Sequence, residues 1–177
     1  MEKLVDDGLA KAIGLSSFNI TQIKTILNNA RIPPANLQIE LHAYFQQQQL
    51  VNFCNKHNIS ITCFSPLGSP DIGKFYSMFG ESVVVPKILE NPVIRDIATK
   101  HNKTSAQVLL RFSLQKGLAV IPKSVTPSRI RENINVFDFT LDECDMKNLK
   151  CLDKSPFGRI FDLTVFKGAK KHPEYPF

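Results

Sequence analysis

The sequence has no apolar run approaching the ~18 residues of a membrane span, and its start, Met1-Glu2-Lys3-Leu4-Val5, lacks the apolar core of a secretion signal. A cytoplasmic chain with reduced thiols is therefore expected. Cys54, Cys63, Cys144 and Cys151 show no CxxC spacing, and His42, His57, His101 and His172 form no HExxH pair. Metal: none is the expectation that follows. There is no GxGxxG fingerprint and no Walker loop, so the usual dinucleotide- and triphosphate-binding folds lack their central motif. No basic stretch is interleaved with aromatic residues in the manner of a nucleic-acid surface. The formal net charge of +6 is explained at least as well by an anionic small ligand, or by scattered surface charge, as by nucleic acid.

What is present is the pattern of one α/β domain. A chain of 177 residues, 43% hydrophobic and 21% charged, is long enough to bury a proper core. Leu4 to Leu9 reads as a helix end, and Lys11 to Leu15 as a short strand. Asn19 can cap a helix on which Ile20, Ile23 and Leu27 share a face. Asn36 to Leu41 reads as the second strand, Gln46 to His57 as the next helix and Ile59 to Phe64 as the third strand. The turn-rich stretch from Ser65 towards Pro86 is too long for a plain connector, which marks it as a candidate functional loop. Val93, Ile94, Ile97 and Ala98 mark a helix. Thr104 and Gln107 form a capping box for another, in which Ala106, Leu109, Leu110, Ser113 and Leu114 fall on one face. Leu118 to Pro122 is the fourth strand, and Thr140 with Glu143 is expected to cap a last helix before an aromatic-bearing tail. Strands alternating with helices, without a β-hairpin signal, predict parallel strands joined by crossovers. In such folds the loops after the strands converge on one face, where ligands bind.

The richest of those loops is Ile121-Pro122-Lys123-Ser124-Val125-Thr126-Pro127-Ser128-Arg129. Thr126 is a good N-cap and Pro127 suits the first helical position, with Ile130, Ile134 and Phe137 following at helical spacing. The free N–H groups of that helix start would face an anion, and Lys123, Ser124 and Arg129 would add two charges and a hydroxyl. Arg129 suits a planar, two-point hold on phosphate or carboxylate, and Lys123 acts more as a point charge. The alternative is a solvated basic turn with an ordinary cap.

Four stretches, one after each strand, carry a family resemblance. Gly14-Leu15-Ser16-Ser17-Phe18-Asn19, Gln38-Ile39-Glu40-Leu41-His42, Phe64-Ser65-Pro66-Leu67-Gly68-Ser69, and Ile121-Pro122-Lys123-Ser124 with Arg129-Ile130-Arg131-Glu132-Asn133 resemble the G-V-S-N-F, Q-x-E-x-H, Y-S-P-L-G, and I-P-K-S with R-x-x-E-N motifs of the aldo-keto reductases. Those motifs follow the fifth to eighth strands of an NADP-dependent (β/α)8 barrel. The resemblance therefore implies the C-terminal half of a TIM barrel, with residues 1–152 supplying about four parallel strands and outer helices. Residues 153–177 would be a tail bordering the substrate pocket, and the closing Tyr175-Pro176-Phe177 is similar to the end of many members. Pro34 to Gln38 and the Gln46 to Gln49 run resemble insect members acting on ecdysteroid-like ketones.

Position by position, the resemblance implies that Ser16, Ser17 and Gln38 bond the nicotinamide carboxamide of NADPH and that Phe64 stacks on its ring. Ser65, Leu67 and Ser69 would line the pyrophosphate, Lys123, Ser124, Thr126 and Arg129 the 2′-phosphate, and Glu132 and Asn133 the adenine. Two departures stand out: the family's Asn is Ser17, which shortens a reach, and its stacking Tyr is Phe64, which keeps the ring and loses the hydroxyl. Catalytic: none is assigned. The family's Asp, Tyr, Lys and His lie on or after its first four strands, and Met1 aligns inside its fourth helix. Tyr44, Tyr76 and Tyr175 stand in other contexts. The expected function is the NADPH-binding part of an oxidoreductase whose complete form reduces an aldehyde or ketone, the alternative being a non-catalytic NADPH-binding or interaction protein. An isolated half-barrel is expected to self-associate through its open strand edges.

Overall fold

The computed structural model describes residues 1–177. Its strands are β1 (Gly14–Ser16), β2 (Asn36–Glu40), β3 (Ser60–Phe64) and β4 (Ala119–Val120). The helices are α1 (Glu2–Asp6), α2 (Ile20–Asn29), α3 (Gln48–Lys56), α4 (Ile72–Ser77), α5 (Pro92–His101), α6 (Ser105–Gln115), α7 (Pro127–Ile134) and α8 (Glu143–Lys150). The sheet is four-stranded, in the order β1-β2-β3-β4, and every pair is parallel. This is the expected α/β arrangement of parallel strands and crossover helices.

Alternation along the strands divides the sheet into two unlike faces. Leu37, Ile39, Ile61 and Cys63 point towards the helices and pack with Ile23, Val51 and Cys54 in one buried cluster. The residues between them, Asn36, Gln38, Glu40, Ser60, Thr62 and Phe64, share the opposite face through the register Asn36↔Ser60, Gln38↔Thr62 and Glu40↔Phe64. That face is largely polar and partly satisfies itself, since Asn36 Nδ2 donates to Ser60 Oγ at 2.9 Å and Thr62 Oγ1 at 3.0 Å. A second cluster, including Ile94, Ile97, Leu109, Phe112 and Leu149, joins α5, α6 and α8.

Side-chain capping explains four of the eight α-helix starts, those of α2, α5, α6 and α8. Asn19 with Gln22 and Thr104 with Gln107 form complete capping boxes. For α8 the expectation is corrected: the box is made by Asp142 and Asp145, two residues later than Thr140 and Glu143. Asp145 is held there from a distance, by His101 Nε2 at 2.7 Å and Lys100 Nζ at 2.9 Å, both on α5. The helix expected from Gln46 begins at Gln48, because Gln46 is occupied elsewhere: its Nε2 donates to the Leu149 and Lys150 carbonyls that end α8. Thr126 stands at the N-cap of α7, but its side chain makes no capping bond. Its own N–H is taken by Ser124 Oγ at 3.1 Å, which fixes the turn a residue earlier.

Other boundaries move for similar reasons. β1 runs Gly14–Ser16 rather than from Lys11, and β4 pairs over only Ala119–Val120, since Pro122 has no N–H to extend a ladder. The long loop after β3 contains α4, which is pinned by Ile72 and Tyr76 against Ile160 of the tail. Helical spacing on α7 does not lead to burial, and Ile134, expected to be buried, is not: it is 71% exposed, with Ile130 at 52% and Phe137 at 68%. Helical spacing makes a face, but nothing beyond α7 covers this one. Leu114 is half-buried, while Leu109 and Leu110 are fully buried as expected. The tail, residues 153–177, holds only a turn of 3-10 helix at Ala169–Lys171, yet it is stitched down. Tyr76 donates to Ile160 O, Asn19 Nδ2 to Pro176 O and Gln22 Nε2 to Glu174 O.

Candidate functional site

The loops after β3 and β4 enclose a cavity of about 840 Å³. Ser65, Leu67, Ser69, Lys123, Ser124, Thr126, Arg129, Glu132 and Asn133 all line it, so the expected pyrophosphate, 2′-phosphate and adenine residues are brought together. The α7 N-terminus opens into the same space without a side-chain cap, leaving backbone donors for a guest. Neither Lys123 nor Arg129 is paired with a carboxylate. The acid whose charge reaches both, Asp71, is bonded to Lys74 at 2.8 Å. The Lys74 bond and charge, with smaller contributions from Lys123 and Arg129, hold the Asp71 carboxyl below its ordinary value. Asp71 also lines the cavity and is a site feature that the motifs did not single out. A carboxylate facing a cationic loop was the signal available for it.

Local backbone geometry marks the same loops. Ser65 (φ 53) and Ser69 (φ 44) are both left-handed, as is Ser17 (φ 57) after β1. Positive φ in a residue with a Cβ is uncommon and gathers where the surroundings fix the chain for a purpose. Ser69 Oγ donates to Ser65 Oγ at 2.6 Å and so closes the first of these turns. Gly68 between them has φ +76, which favours glycine, and a Cβ there would lie 2.6 Å from Ile88 Cδ1, so that side chain would also have to shift.

The nicotinamide group of residues is less enclosed. Ser16 and Gln38 stand opposite each other in the β1–β2 register, and the Ser17 N–H donates to Gln38 O at 2.9 Å, so the three are adjacent at the strand tips. Ser16, Gln38 and Phe64 nevertheless lie outside the cavity lining, and Ser17 lines a separate cavity of about 640 Å³ with Phe45, Arg159 and Phe177. Phe64 reaches the first cavity through Phe161, whose ring stands edge-on to it at 5.4 Å and 83°. Phe161 lies in the tail and belongs to none of the four motifs, so sequence reasoning missed it.

The tyrosine hydroxyls are all engaged structurally. Tyr44 Oη accepts from Asn91 Nδ2, and Tyr76 and Tyr175 donate to the Ile160 and Asp162 carbonyls. Burial raises the pKa of both Tyr76 and Tyr175. The buried thiols are also unready for chemistry, since burial pushes Cys54 to about 11 and Cys63 to about 12. No group of three or more His, Cys, Asp or Glu side chains is placed to hold a metal ion, and no helix is long and apolar enough to cross a membrane.

Comparison with known proteins places this geometry in context. The model of the Aldo/keto reductase family matches residues 1–154. The chain is 45% identical over 183 residues to aldo-keto reductase family 1 member A1-A of Danio rerio, covering 100% of this chain and 54% of that protein. Against member A1 of Gallus gallus it is 44% identical over 182 residues, again with 54% of the relative covered. Among solved structures, the aldose reductase from Schistosoma japonicum superposes with a TM-score of 0.85 at 44% identity, covering 100% of this chain and 51% of that one. An aldo-keto reductase from a Medee basin deep-sea metagenome, MGS-M4, gives 0.79 at 38% identity, with 90% and 54% covered. The chain thus spans about half the length of the curated relatives it matches. The insect likeness of Pro34 to Gln38 and of Gln46 to Gln49 finds no support in these relatives.

Proposed function

The chain belongs to the aldo/keto reductase family, and from that premise we propose that it is the NADPH-binding C-terminal half of a (β/α)8 oxidoreductase acting on a small-molecule aldehyde or ketone. The observation that carries this reading is the cavity after β3 and β4. Two unpaired cations, an uncapped helix start and a narrow serine turn converge on it. These residues fit a dinucleotide with a 2′-phosphate: Arg129 and Lys123 would hold that dianion, and Ser65 and Ser69 would follow the pyrophosphate. Ser16, Ser17 and Gln38 would orient the carboxamide, and Phe64 would offer its ring face. When bound, NADPH supplies the hydride. This chain's own residues bind and orient; none is assigned to move a proton, because all three tyrosine hydroxyls are bonded within the fold.

That last observation also favours a second reading, a non-catalytic NADPH-binding or interaction protein that docks through its open sheet edges. Carbonyl-dependent NADPH oxidation by the purified chain separates the two, since sustained turnover would exclude the second. A cytoplasmic location, with no nucleic-acid or membrane partner, completes the proposal.

The direct test is titration with NADPH and NADH. Wild-type chain should prefer NADPH, because Lys123 and Arg129 meet the extra phosphate only there. Each charge-assisted contact is worth about ten- to a hundredfold in affinity. Arg129→Ala should erode the preference by about that factor and leave NADH nearly unchanged. Equal losses for both cofactors would return Arg129 to an ordinary surface charge.

A further inference from the structure

Glu40, at the end of β2, is 2% exposed, and a carboxylate so placed needs partners where it lies. Two of them come from the far end of the chain. Oε1 accepts the Ile160 N–H at 2.8 Å, and Oε2 accepts the Phe161 N–H at 2.9 Å. His42 Nε2 is the third, 3.0 Å from Oε1. A carboxylate accepts and does not donate, so this contact puts the imidazole proton on Nε2; Nδ1 is buried and has no partner. No lysine or arginine bonds Glu40. Successive amides gripped by the two oxygens of one carboxylate fix both the position and the direction of a chain, which a single bond would not.

What this grip fixes is Phe161. Ile160 is anchored beside it, 4% exposed, packed on Ile72 and Tyr76 and bonded through its carbonyl to Tyr76 Oη at 2.9 Å. The Phe161 ring then lines the cavity that holds Lys123 and Arg129, and stands edge-on to Phe64. Glu40 and Phe64 are register partners on β2 and β3, so the clamp and the ring it serves spring from neighbouring strand ends.

We propose that Glu40 is a positioning residue: it seats the tail so that Phe161 braces the Phe64 ring at the nicotinamide end of the cofactor cavity. The proposal rests on the NADPH reading above, and it gives the tail a part in cofactor binding as well as a place beside the substrate pocket. Glu40 also lines the 640 Å³ cavity with Ser17, but the role assigned to it runs through the tail amides it holds.

The test titrates the full 177-residue chain with NADPH and with adenosine 2′,5′-bisphosphate, a probe that fills only the phosphate end. Amide hydrogen exchange at Ile160 and Phe161 is followed in parallel. Glu40→Gln keeps the shape but leaves one amide with only a neutral acceptor and the other facing an NH2 donor, whereas Phe161→Ala keeps the backbone bonds and removes the ring. Both variants should weaken NADPH by about tenfold and leave the bisphosphate unchanged. Only Glu40→Gln should speed exchange at the two amides. Equal weakening of both ligands by Glu40→Gln would reduce the clamp to a general structural support, and unaltered NADPH binding in Phe161→Ala would remove the brace; either result overturns the proposal. Wild-type chain that binds neither compound sinks the cofactor reading, and the role of Glu40 towards the nicotinamide with it, whereas wild-type binding with the wrong variant pattern sinks the Glu40 proposal alone.

Discussion

Self-association should be controlled by α7 and the sheet edges. β1 pairs only with β2 and β4 only with β3, so each end of the sheet presents unpaired backbone groups. On α7, which packs on α6, Ile130 and Ile134 are 52% and 71% exposed, and beyond α1 Leu9 is 76% exposed. Two copies related by a two-fold axis along the strands would pair β4 with β1 twice, closing eight parallel strands without an edge. Full burial of an isoleucine is worth about 1.5–3 kcal/mol. Scaled by those exposures, Ile130 and Ile134 contribute about 2–4 kcal/mol per copy, or about 4–7 kcal/mol per two-fold dimer. Replacing both with lysine should raise the dissociation constant about a thousandfold or more. Sedimentation velocity over a range of concentrations reads this directly. Wild-type chain should run larger than a monomer, and the double variant should shift towards monomer. A compact wild-type monomer at every concentration, or a variant that sediments like wild type, would refute the reasoning.

Two further substitutions probe the tail and the α5–α8 contact. At Gly158 a Cβ would lie 1.8 Å from Tyr44 O, a backbone atom that cannot swing aside. Gly158→Ala should therefore displace the tail and destabilise the chain by about 1–3 kcal/mol, and an unchanged thermal midpoint by circular dichroism would count against the packing described. Burial acts to raise the Asp145 carboxyl, but its bonds to His101 and Lys100 outweigh this and leave its pKa below the ordinary 3.8. A lowered folded-state pKa stabilises above the unfolded value, and that contribution is lost as pH falls through the folded one. Asp145→Asn should therefore reduce stability at pH 7 by about 1–3 kcal/mol, a loss that shrinks progressively as pH falls below the ordinary 3.8, as read from urea midpoints; a loss that stays constant down to acid unfolding would contradict the linkage.

What the sequence made legible was mostly local. The Asn19 cap and the Thr104–Gln107 box depend on residues within one turn, and both stand where the spacing put them. The start of α8 did not, because Thr140–Glu143 and Asp142–Asp145 are both plausible local boxes. The choice between them falls to Lys100 and His101, more than 40 residues away. The same limit applies to α7: its period marks Ile130 and Ile134 as one face but cannot say what covers it. At the site, Lys123, Ser124 and Arg129 were readable because cations, turn and helix start adjoin in sequence. Phe161 and the Glu40 clamp were not, since they join residues 120 and 121 positions apart.

The polar face of the four-stranded sheet bears on what would need to cover it. An inward face of large aliphatic side chains would itself demand cover. Here that face carries Ser16, Asn36, Gln38, Ser60 and Thr62, with Asn36 bonded to both Ser60 and Thr62. Exposing such a face costs little hydrophobic free energy, because the apolar residues of the same strands already pack on α2 and α3. Any association of two copies should therefore be driven by the backbone edges and α7. The proposed cofactor residues divide along the same line. Those proposed for the adenosine and phosphates come from neighbouring loops within one 840 Å³ cavity, whereas Ser16 and Gln38 stand on the open polar face. On the NADPH reading, the chain's affinity should reside in the phosphate end, and orientation of the nicotinamide should depend on what completes that open face.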